Sequence, residues 1–223
     1  MQLTKKERAL KSLPLFGQLG EEEICSLSSR VSLKTYPKHT ILVSEGDETD
    51  SLFIIENGKV KVYLSDEEGK EVIINILEDG DYFGELALLD DKPRSASVMT
   101  LEECRVWLIS KKDFETWLLQ HPQITILLLK DMSSRLRQLT DNVKSLALMD
   151  VYGRVARTLL HLAKQQGDDK LVIDQRLTQQ DIANMVGASR EMVSRIMKDL
   201  VAGGYVSIER NAIIIHEKLP SHW

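Results

Sequence analysis

Thr178-Gln179-Gln180-Asp181-Ile182-Ala183-Asn184-Met185-Val186-Gly187-Ala188-Ser189-Arg190-Glu191-Met192-Val193-Ser194-Arg195-Ile196 is the stretch whose reading decides the fold of this 223-residue chain. Ile182, Val186, Val193 and Ile196 supply an apolar wedge, Ala183 is small enough for a second helix to approach the first, and Gly187 stands at the turn between them. Thr178 precedes Gln179-Gln180-Asp181 and Ser189 precedes Arg190-Glu191, which makes each an N-cap candidate for one helix. The spacing predicts a helix-turn-helix. Met192, Val193, Ile196, Met197 and Leu200 are expected to face inward, and Arg190, Glu191, Ser194, Arg195 and Lys198 outward.

The outward set suits a DNA major groove. Arginine donates two hydrogen bonds to guanine, glutamate accepts from cytosine, and lysine reaches phosphate. Thr178, Gln179 and Ser189, at the helix starts, complete the candidate DNA-contacting set. Beyond it, Tyr205-Val206-Ser207-Ile208 and Ala212-Ile213-Ile214-Ile215 bracket Glu209-Arg210-Asn211 as a hairpin wing, so the domain reads as a winged helix. Upstream, a helix through Leu159 to Lys164 and a polar loop from Gln165 to Lys170 are expected. From Asp150 onward ten Lys and Arg stand against nine Asp and Glu, whereas the rest of the chain is acidic and the total is −5. That asymmetry only weakly supports a nucleic-acid partner.

Residues 38–110 run as short apolar segments broken by Glu45-Gly46-Asp47, Asn57-Gly58, Glu68-Gly69 and Asp79-Gly80-Asp81, the spacing of an antiparallel barrel or sandwich. Asn57-Gly58 between Leu52–Ile55 and Val60–Tyr63 is a strong hairpin signal. Helical segments are expected at 4–11 and 21–29. Pro122 opens a long helix in which Leu129, Met132, Leu136, Leu139, Val143 and Leu146 recur at spacings of three and four. Charged residues fill the intervals, so one narrow stripe is apolar, as in a helix pairing with a copy of itself. A helix lying on its own domain is the alternative. The chain is therefore an α+β protein with an N-terminal β-barrel (1–121), a dimerisation helix (122–148) and a C-terminal winged helix-turn-helix (149–223).

Composition narrows the function further. Hydrophobic residues make up 43% and charged residues 28%, an ordinary globular balance. No apolar run approaches the roughly 20 residues of a membrane span, and Met1-Gln2 leads into Lys5, Lys6 and Arg8 without an apolar signal region, so a cytoplasmic protein is expected. Cys25 and Cys104 are too few for a disulfide framework, a zinc site or an iron–sulfur cluster. His39, His121, His161, His216 and His222 have no metal-ligand spacing, and no nucleophile-with-base or phosphate-loop motif appears. An enzyme, a haem or iron–sulfur sensor, and a nucleotide-binding domain without DNA contact are the rivals. Residues 178–200 argue against the last.

Phe83-Gly84-Glu85-Leu86-Ala87-Leu88-Leu89-Asp90-Asp91-Lys92-Pro93-Arg94-Ser95-Ala96-Ser97-Val98 is the other unusual segment. A carboxylate and a guanidinium flank an apolar turn, and buried charges require partners. Arg94 and Ser95 beside small residues can converge on one phosphate. Read from the residues, an internal Glu85–Arg94 ion pair and a ligand site serve equally.

The segment resembles the phosphate-binding cassette of cyclic-nucleotide-binding domains. Together with Gly46, Gly58, the long helix, Leu146–Arg154 and Gly187–Arg195, the chain resembles the bacterial cyclic AMP receptor protein and FNR family over almost its full length. The resemblance implies that Arg94 and Ser95 hold a cyclic phosphate, that Glu85 takes the ribose 2′-hydroxyl, that Gly84 allows close backbone approach, and that Arg135 pairs with Glu85. It places Leu86, Leu139 and Thr140 in the same ligand set, with cyclic AMP or a related cyclic nucleotide as effector. It further implies a homodimer, double-stranded DNA with TGTGA-like half-sites read by Arg190, Glu191 and Arg195, and RNA polymerase as a partner. Two positions depart from the pattern. Leu139 stands where the receptor protein has an adenine-contacting threonine, which admits another nucleotide such as cyclic di-GMP, or action without ligand. The segment Gln165–Lys170 is shorter than the family's polymerase-contacting loop.

Overall fold

The computed structural model describes residues 3–166, 170–174, 177–209, 212–216 and 219. Two compact units divide within one helix, residues 1–69 with 74–135 forming one and residues 70–73 with 136–223 the other. The first begins with helices α1 (Lys5–Lys11) and α2 (Glu21–Ser28). Thr4 and Glu7 cap α1 reciprocally: Glu7 N donates to Thr4 Oγ1 at 3.3 Å and Thr4 N to Glu7 Oε2 at 2.7 Å, satisfying two backbone donors that a helix start leaves free.

Strands β1 (Val31–Tyr36), β2 (Ile41–Val43), β3 (Ser51–Asn57), β4 (Val60–Ser65), β5 (Glu71–Leu77) and β6 (Tyr82–Phe83) follow, then the short helix α3 (Glu85–Asp90) and strands β7 (Ser97–Thr100) and β8 (Cys104–Ser110). They form two four-stranded sheets, ordered β1-β8-β3-β6 and β2-β7-β4-β5. The barrel is thus a jelly-roll pair of sheets. Val31–Tyr36 precedes the expected start of the β region because its alternation of Val31 and Leu33 with Ser32 and Lys34 marks a strand with one buried face.

β3 explains why the first sheet lies at the centre of the unit. Leu52, Phe53, Ile54 and Ile55 are all buried, so both faces of the strand are covered. Phe53 and Ile55 join Val43, Val60, Leu77, Phe83, Val98 and Val106 in the core between the sheets. Leu52 and Ile54 join Trp107 and Ile109 in a second core against helices α1, α2, α4 (Lys111–Gln120) and the start of α5 (Pro122–Leu148). Each fully buried Leu, Ile or Phe contributes roughly 1.5–3 kcal/mol.

The second unit contains α6 (Val151–Leu162), β9 (Lys164–Gln166), β10 (Lys170–Ile173), α7 (Gln179–Val186), α8 (Arg190–Ala202), β11 (Val206–Glu209) and β12 (Ala212–Ile215). Its sheet runs β11-β12-β10-β9. Two expectations are corrected here. The helix before the sheet ends at Leu162, and the ends of the segment read as a polar loop belong to strands, Gln165 and Gln166 to β9 and Lys170 to β10, with 167–169 outside the described residues. The physical reason is the edge of β12: Ile213 and Ile215 need neighbours on both sides, and Ile173 and Leu171 pair with them. The wing strands are in register Val206↔Ile215 to Glu209↔Ala212. Tyr205 precedes the strand, and the wing tip at 210–211 lies outside the described residues.

The Asn57-Gly58 turn supports a prediction. Gly58 has φ +113°, and a Cβ there would stand 2.6 Å from Cys104 Sγ and 2.8 Å from Glu103 O. Gly58→Ala therefore combines backbone strain with overpacking of backbone that cannot move, and is expected to cost about 2–4 kcal/mol. Calorimetric melting checks this: the barrel transition falls while the transition of the C-terminal unit stays in place.

Candidate functional site

At the start of α3 the chain folds so that a carboxylate and a guanidinium are both taken out of water. Gly84 has φ +88°, and a Cβ at this position would collide with the Arg94 guanidinium. Glycine is required twice over, by backbone conformation and by space. Arg94 is 3% exposed and Glu85 6%.

The loop from Ser44 to Asp50 aims Arg94. Gly46 N donates to Arg94 O and Arg94 N to Asp47 O, each at 2.9 Å, while the Asp47 carboxylate accepts from Ser44 N at 3.0 Å. The guanidinium then donates from Nε to Thr49 Oγ1, from Nη1 to Gly84 O and from Nη2 to Ser51 O, all at 2.6 Å. Three of its five N–H groups are engaged, and two have no acceptor among the described residues. Burial draws its pKa below the ordinary arginine value, while Glu85 and the Asp47 and Asp50 carboxylates oppose the shift.

Glu85 has Arg135 of α5 as its ion-pair partner, Nη1 to Oε1 at 3.4 Å. The reading in which Arg94 itself pairs with Glu85 is corrected, because the Arg94 guanidinium turns to the Gly84 carbonyl. Burial pushes the Glu85 carboxyl above the ordinary carboxylate range, a rise that Arg135 only partly offsets. Arg135 is fixed in turn: Nε donates to Asp131 Oδ2 at 2.8 Å, Nη2 to Tyr82 O at 3.1 Å, and the guanidinium lies 4.5 Å over the Tyr82 ring. Tyr82 also donates its hydroxyl to Asp131 Oδ2 at 2.6 Å.

The structure thus brings Gly84, Glu85, Arg94 and Arg135 together. Ser95 and Leu86 are exposed beside them. Leu139 and Thr140 belong to the other unit; both are exposed, and the Thr140 hydroxyl donates to Leu136 O at 3.0 Å. Thr49, Ser51, Tyr82 and Asp131 were not anticipated. Asp131 carries the one available signal, a carboxylate four residues before Arg135 on a helix, where side chains meet.

On α5, Leu129, Leu136, Leu139, Val143 and Leu146 are 45–64% exposed and Met132 is half-buried. A stripe of large apolar side chains left in water is a surface that needs a partner.

In the second unit, Thr178 caps α7, its hydroxyl accepting from Asp181 N at 3.1 Å, and Ser189 caps α8, accepting from Met192 N at 3.3 Å. Gly187 takes the left-handed conformation between them. Ile182, Ala183, Val186, Val193, Ile196, Met197 and Leu200 are buried. Arg190, Glu191, Arg195 and Lys198 are exposed, Ser194 and Gln179 are half-buried, and Thr178 and Ser189 are exposed. Met192 is corrected: it is 42% exposed, because it sits one turn before Ile196 at the rim of the buried stripe. Arg154 was missed as a brace. It donates from Nε to Val186 O at 2.8 Å and from Nη1 to Met149 O at 3.0 Å, holding the end of α7 to the residue that follows α5.

Among the described residues no helix is long and apolar enough to cross a membrane. Among those same residues no group of three or more His, Cys, Asp or Glu is arranged for a metal.

Comparison with known proteins agrees with both units. Residues 33–121 match the cyclic nucleotide-binding domain and residues 153–218 the Crp-like helix-turn-helix domain. The chain is 32% identical over 206 residues to a CRP-like cAMP-activated global transcriptional regulator of Mycobacterium tuberculosis, covering 91% of this chain and 92% of that one. It is 37% identical over 193 residues to the cAMP-activated global transcriptional regulator CRP of Salmonella typhimurium, covering 84% and 91%. In fold it resembles the c-di-GMP responsive global regulator CLP of Xanthomonas campestris, with TM-score 0.76 at 24% identity over 89% of this chain and all of that one. These matches describe a cyclic-nucleotide-binding domain joined to a DNA-binding one, in a transcription regulator and not an enzyme. Two domains in this order, with relatives aligned along nine-tenths of their own length, establish that the chain belongs to the cyclic AMP receptor protein and FNR family of transcription regulators.

Proposed function

We propose that this regulator works in the cytoplasm as a homodimer that takes cyclic AMP in the barrel and then binds TGTGA-like palindromes, acting on RNA polymerase at the promoters it occupies. Residues 1–121 are the sensor, 122–148 the dimerisation helix and 149–223 the DNA-binding domain. The observation that carries the ligand reading is the buried Arg94, with two N–H groups to spare beside Gly84, Glu85 and the exposed Ser95 hydroxyl. Arg94 and Ser95 receive the cyclic phosphate, Glu85 accepts from the ribose 2′-hydroxyl, and Leu86, Leu139 and Thr140 complete the ligand set. The names of the relatives, cAMP-activated regulators, support cyclic AMP. Leu139, apolar where the family pattern has a hydroxyl toward adenine, favours a second reading in which another cyclic nucleotide, cyclic di-GMP among them, is the effector.

The gating step follows from α5. It carries Arg135 and also the seam Leu129, Met132, Leu136, Leu139, Val143 and Leu146, so a ligand held against Arg135 biases how two copies of the helix pair. That pairing spaces two recognition helices, which must lie about 34 Å apart to enter successive major grooves on one face of DNA. The ligand shifts the equilibrium only by its difference in affinity for the two arrangements. Thr178, Gln179, Ser189, Arg190, Glu191, Ser194, Arg195 and Lys198 form the DNA-contacting surface.

Titration calorimetry with cyclic AMP, cyclic GMP and cyclic di-GMP, repeated with a TGTGA palindrome present, tests the reading. Cyclic AMP binding that tightens the DNA complex is expected, whereas binding of none of the three overturns it. Ser95→Ala should weaken the nucleotide at unchanged melting temperature, since its hydroxyl is exposed. Arg94→Leu should both abolish the response and lower the melting temperature, because Thr49, Gly84 and Ser51 each lose a donor. For the seam, Leu136→Glu with Val143→Glu is expected to give a monomer by sedimentation and to lose palindrome binding while keeping the nucleotide. For α8, Arg190→Ala should cost about 1–3 kcal/mol on the cognate site and relax selectivity at one base pair. Equal loss on every sequence, measured by fluorescence anisotropy, would reassign Arg190 to phosphate.

A further inference from the structure

The polar cluster between β6 and α5 contains more than the ligand reading uses. Arg135 has a choice of carboxylates. Its closest, Asp131, lies one turn earlier on the same helix at 2.8 Å from Nε, and Glu85 is reached from Nη1 only at 3.4 Å. The Asp131 side chain is 43% exposed and the Glu85 side chain 7%, so the guanidinium spans from the rim of the cluster to its interior. Left to itself, a single carboxylate facing an arginine takes it in a bidentate fork. Here Asp131 holds the Nε edge, and the Tyr82 carbonyl at 3.1 Å holds Nη2. Tyr82 additionally presents its ring beneath the guanidinium and closes the arrangement by donating its hydroxyl to the same Asp131 oxygen, Oδ2. Tyr82 is buried in the core that β3 shares with the helices, so its ring cannot swing away. Arg135 is thus tied down at three points, and the bond it offers Glu85 is a long, single one.

The consequence falls on Glu85. A carboxylate gripped by a two-pronged arginine commits a lone pair on each oxygen and accepts a further donor more weakly, and one with no cation nearby would bind a proton in so buried a place. A single contact at 3.4 Å keeps Arg135 close enough to favour the charged form and distant enough to leave oxygen lone pairs for another donor. Resting on the ligand reading above, we propose that Tyr82 and Asp131 are positioning residues that hold Arg135 in this partial engagement, and so set how strongly Glu85 accepts the ribose 2′-hydroxyl of a cyclic nucleotide. Neither touches the ligand. The pair acts through Arg135 alone, and sets selectivity for ribose over deoxyribose.

The test compares cyclic AMP with 2′-deoxy cyclic AMP by calorimetry on the full-length dimer, for wild type, Asp131→Ala, Asp131→Asn and Tyr82→Phe. In the wild type the 2′-hydroxyl should be worth roughly tenfold or more in affinity, as a hydrogen bond to a charged acceptor is. Asp131→Ala should bring the ratio of the two affinities below about threefold, whatever loss both ligands share. Asp131→Asn, which keeps an acceptor for Nε and for the Tyr82 hydroxyl, should recover part of the ratio. Tyr82→Phe keeps the ring and the core packing, and should lower the ratio without lowering the melting temperature of the barrel. A ratio unchanged in Asp131→Ala and Tyr82→Phe overturns the proposal, as does a parallel loss of both ligands, which marks a merely structural role. A wild type that binds cyclic AMP but does not distinguish it from the deoxy form overturns it as well. A wild type that binds neither ligand defeats the ligand reading itself, and the wild-type arm tells that failure apart from the others.

Discussion

The first unit depends on one constraint, the burial of the Arg94 guanidinium with almost no exposure to water. An arginine cannot shed its charge in a protein, so its removal from solvent must be matched by acceptors. The chain supplies them from three directions: Thr49 from the loop before β3, Ser51 from the first residue of β3, and Gly84 from the residue after β6. Thr49 and Ser51 adjoin one another at the start of β3 while Gly84 and Arg94 come from later in the chain, and their meeting is what requires the left-handed turn at Gly84 and the backbone bonds to Gly46 and Asp47. Those acceptors carry no net charge, so they satisfy the guanidinium's N–H groups without cancelling its charge. A carboxylate partner in their place would have neutralised it.

Charge in the same unit is separated by the same logic. Glu85 is not given to Arg94 but to Arg135 on α5, and Arg135 is shared with Asp131. The two guanidiniums therefore differ in role through their partners. Arg94, whose hydrogen bonds go to neutral acceptors, has its pKa lowered by burial, which the carboxylates of Glu85, Asp50 and Asp47 only oppose. For Arg135 burial acts in the same direction, yet Glu85, Tyr82 and Asp131 outweigh it and the value rises. Tyr82 moves up because it is buried and because Asp131 accepts its proton in a hydrogen bond. A cation stabilised by two carboxylates and an aromatic face is a structural hub, whereas one held by a hydroxyl and two carbonyls keeps its net charge.

Much of this was legible in the residues, for reasons that can be named. The helix-turn-helix was readable because each part has a local signature: caps at Thr178 and Ser189, the turn at Gly187, and a 3.6-residue apolar period through Val193, Ile196 and Leu200. The long helix was readable from Pro122 and its spacing. The strand pair β9 and β10 was not, because Lys164-Gln165-Gln166 is polar and its pairing partner is settled by Ile213 and Ile215 far along the chain. Met192 was misjudged because an apolar residue at the edge of a helical stripe is sorted by tertiary packing, not by period. In the site, Gly84, Glu85 and Arg94 announced themselves by type and spacing. Thr49, Ser51 and Tyr82 did not, since two of the contacts to the guanidiniums are made by Ser51 and Tyr82 backbone carbonyls, which every residue has.

The second unit shows why net charge is a poor guide to its partner. Ten basic residues against nine acidic ones from Asp150 onward leave it nearly neutral. Yet the exposed charged positions of α8 hold Arg190, Arg195 and Lys198 against Glu191 and Asp199. Elsewhere in the unit acidic groups are spent locally: Asp150 caps α6 through Gly153 N, Asp181 closes the capping box of α7, and Asp141 engages Arg157. An acid at the start of α6 or α7 faces the positive end of that helix's dipole, which partly offsets its charge, and salt screens what is left beyond about 10 Å. Arg190, Arg195 and Lys198 have no such commitments among the described residues, so three cations stand uncommitted on α8 even though the unit as a whole is nearly neutral, and it is their placement that can meet phosphate, not the net charge.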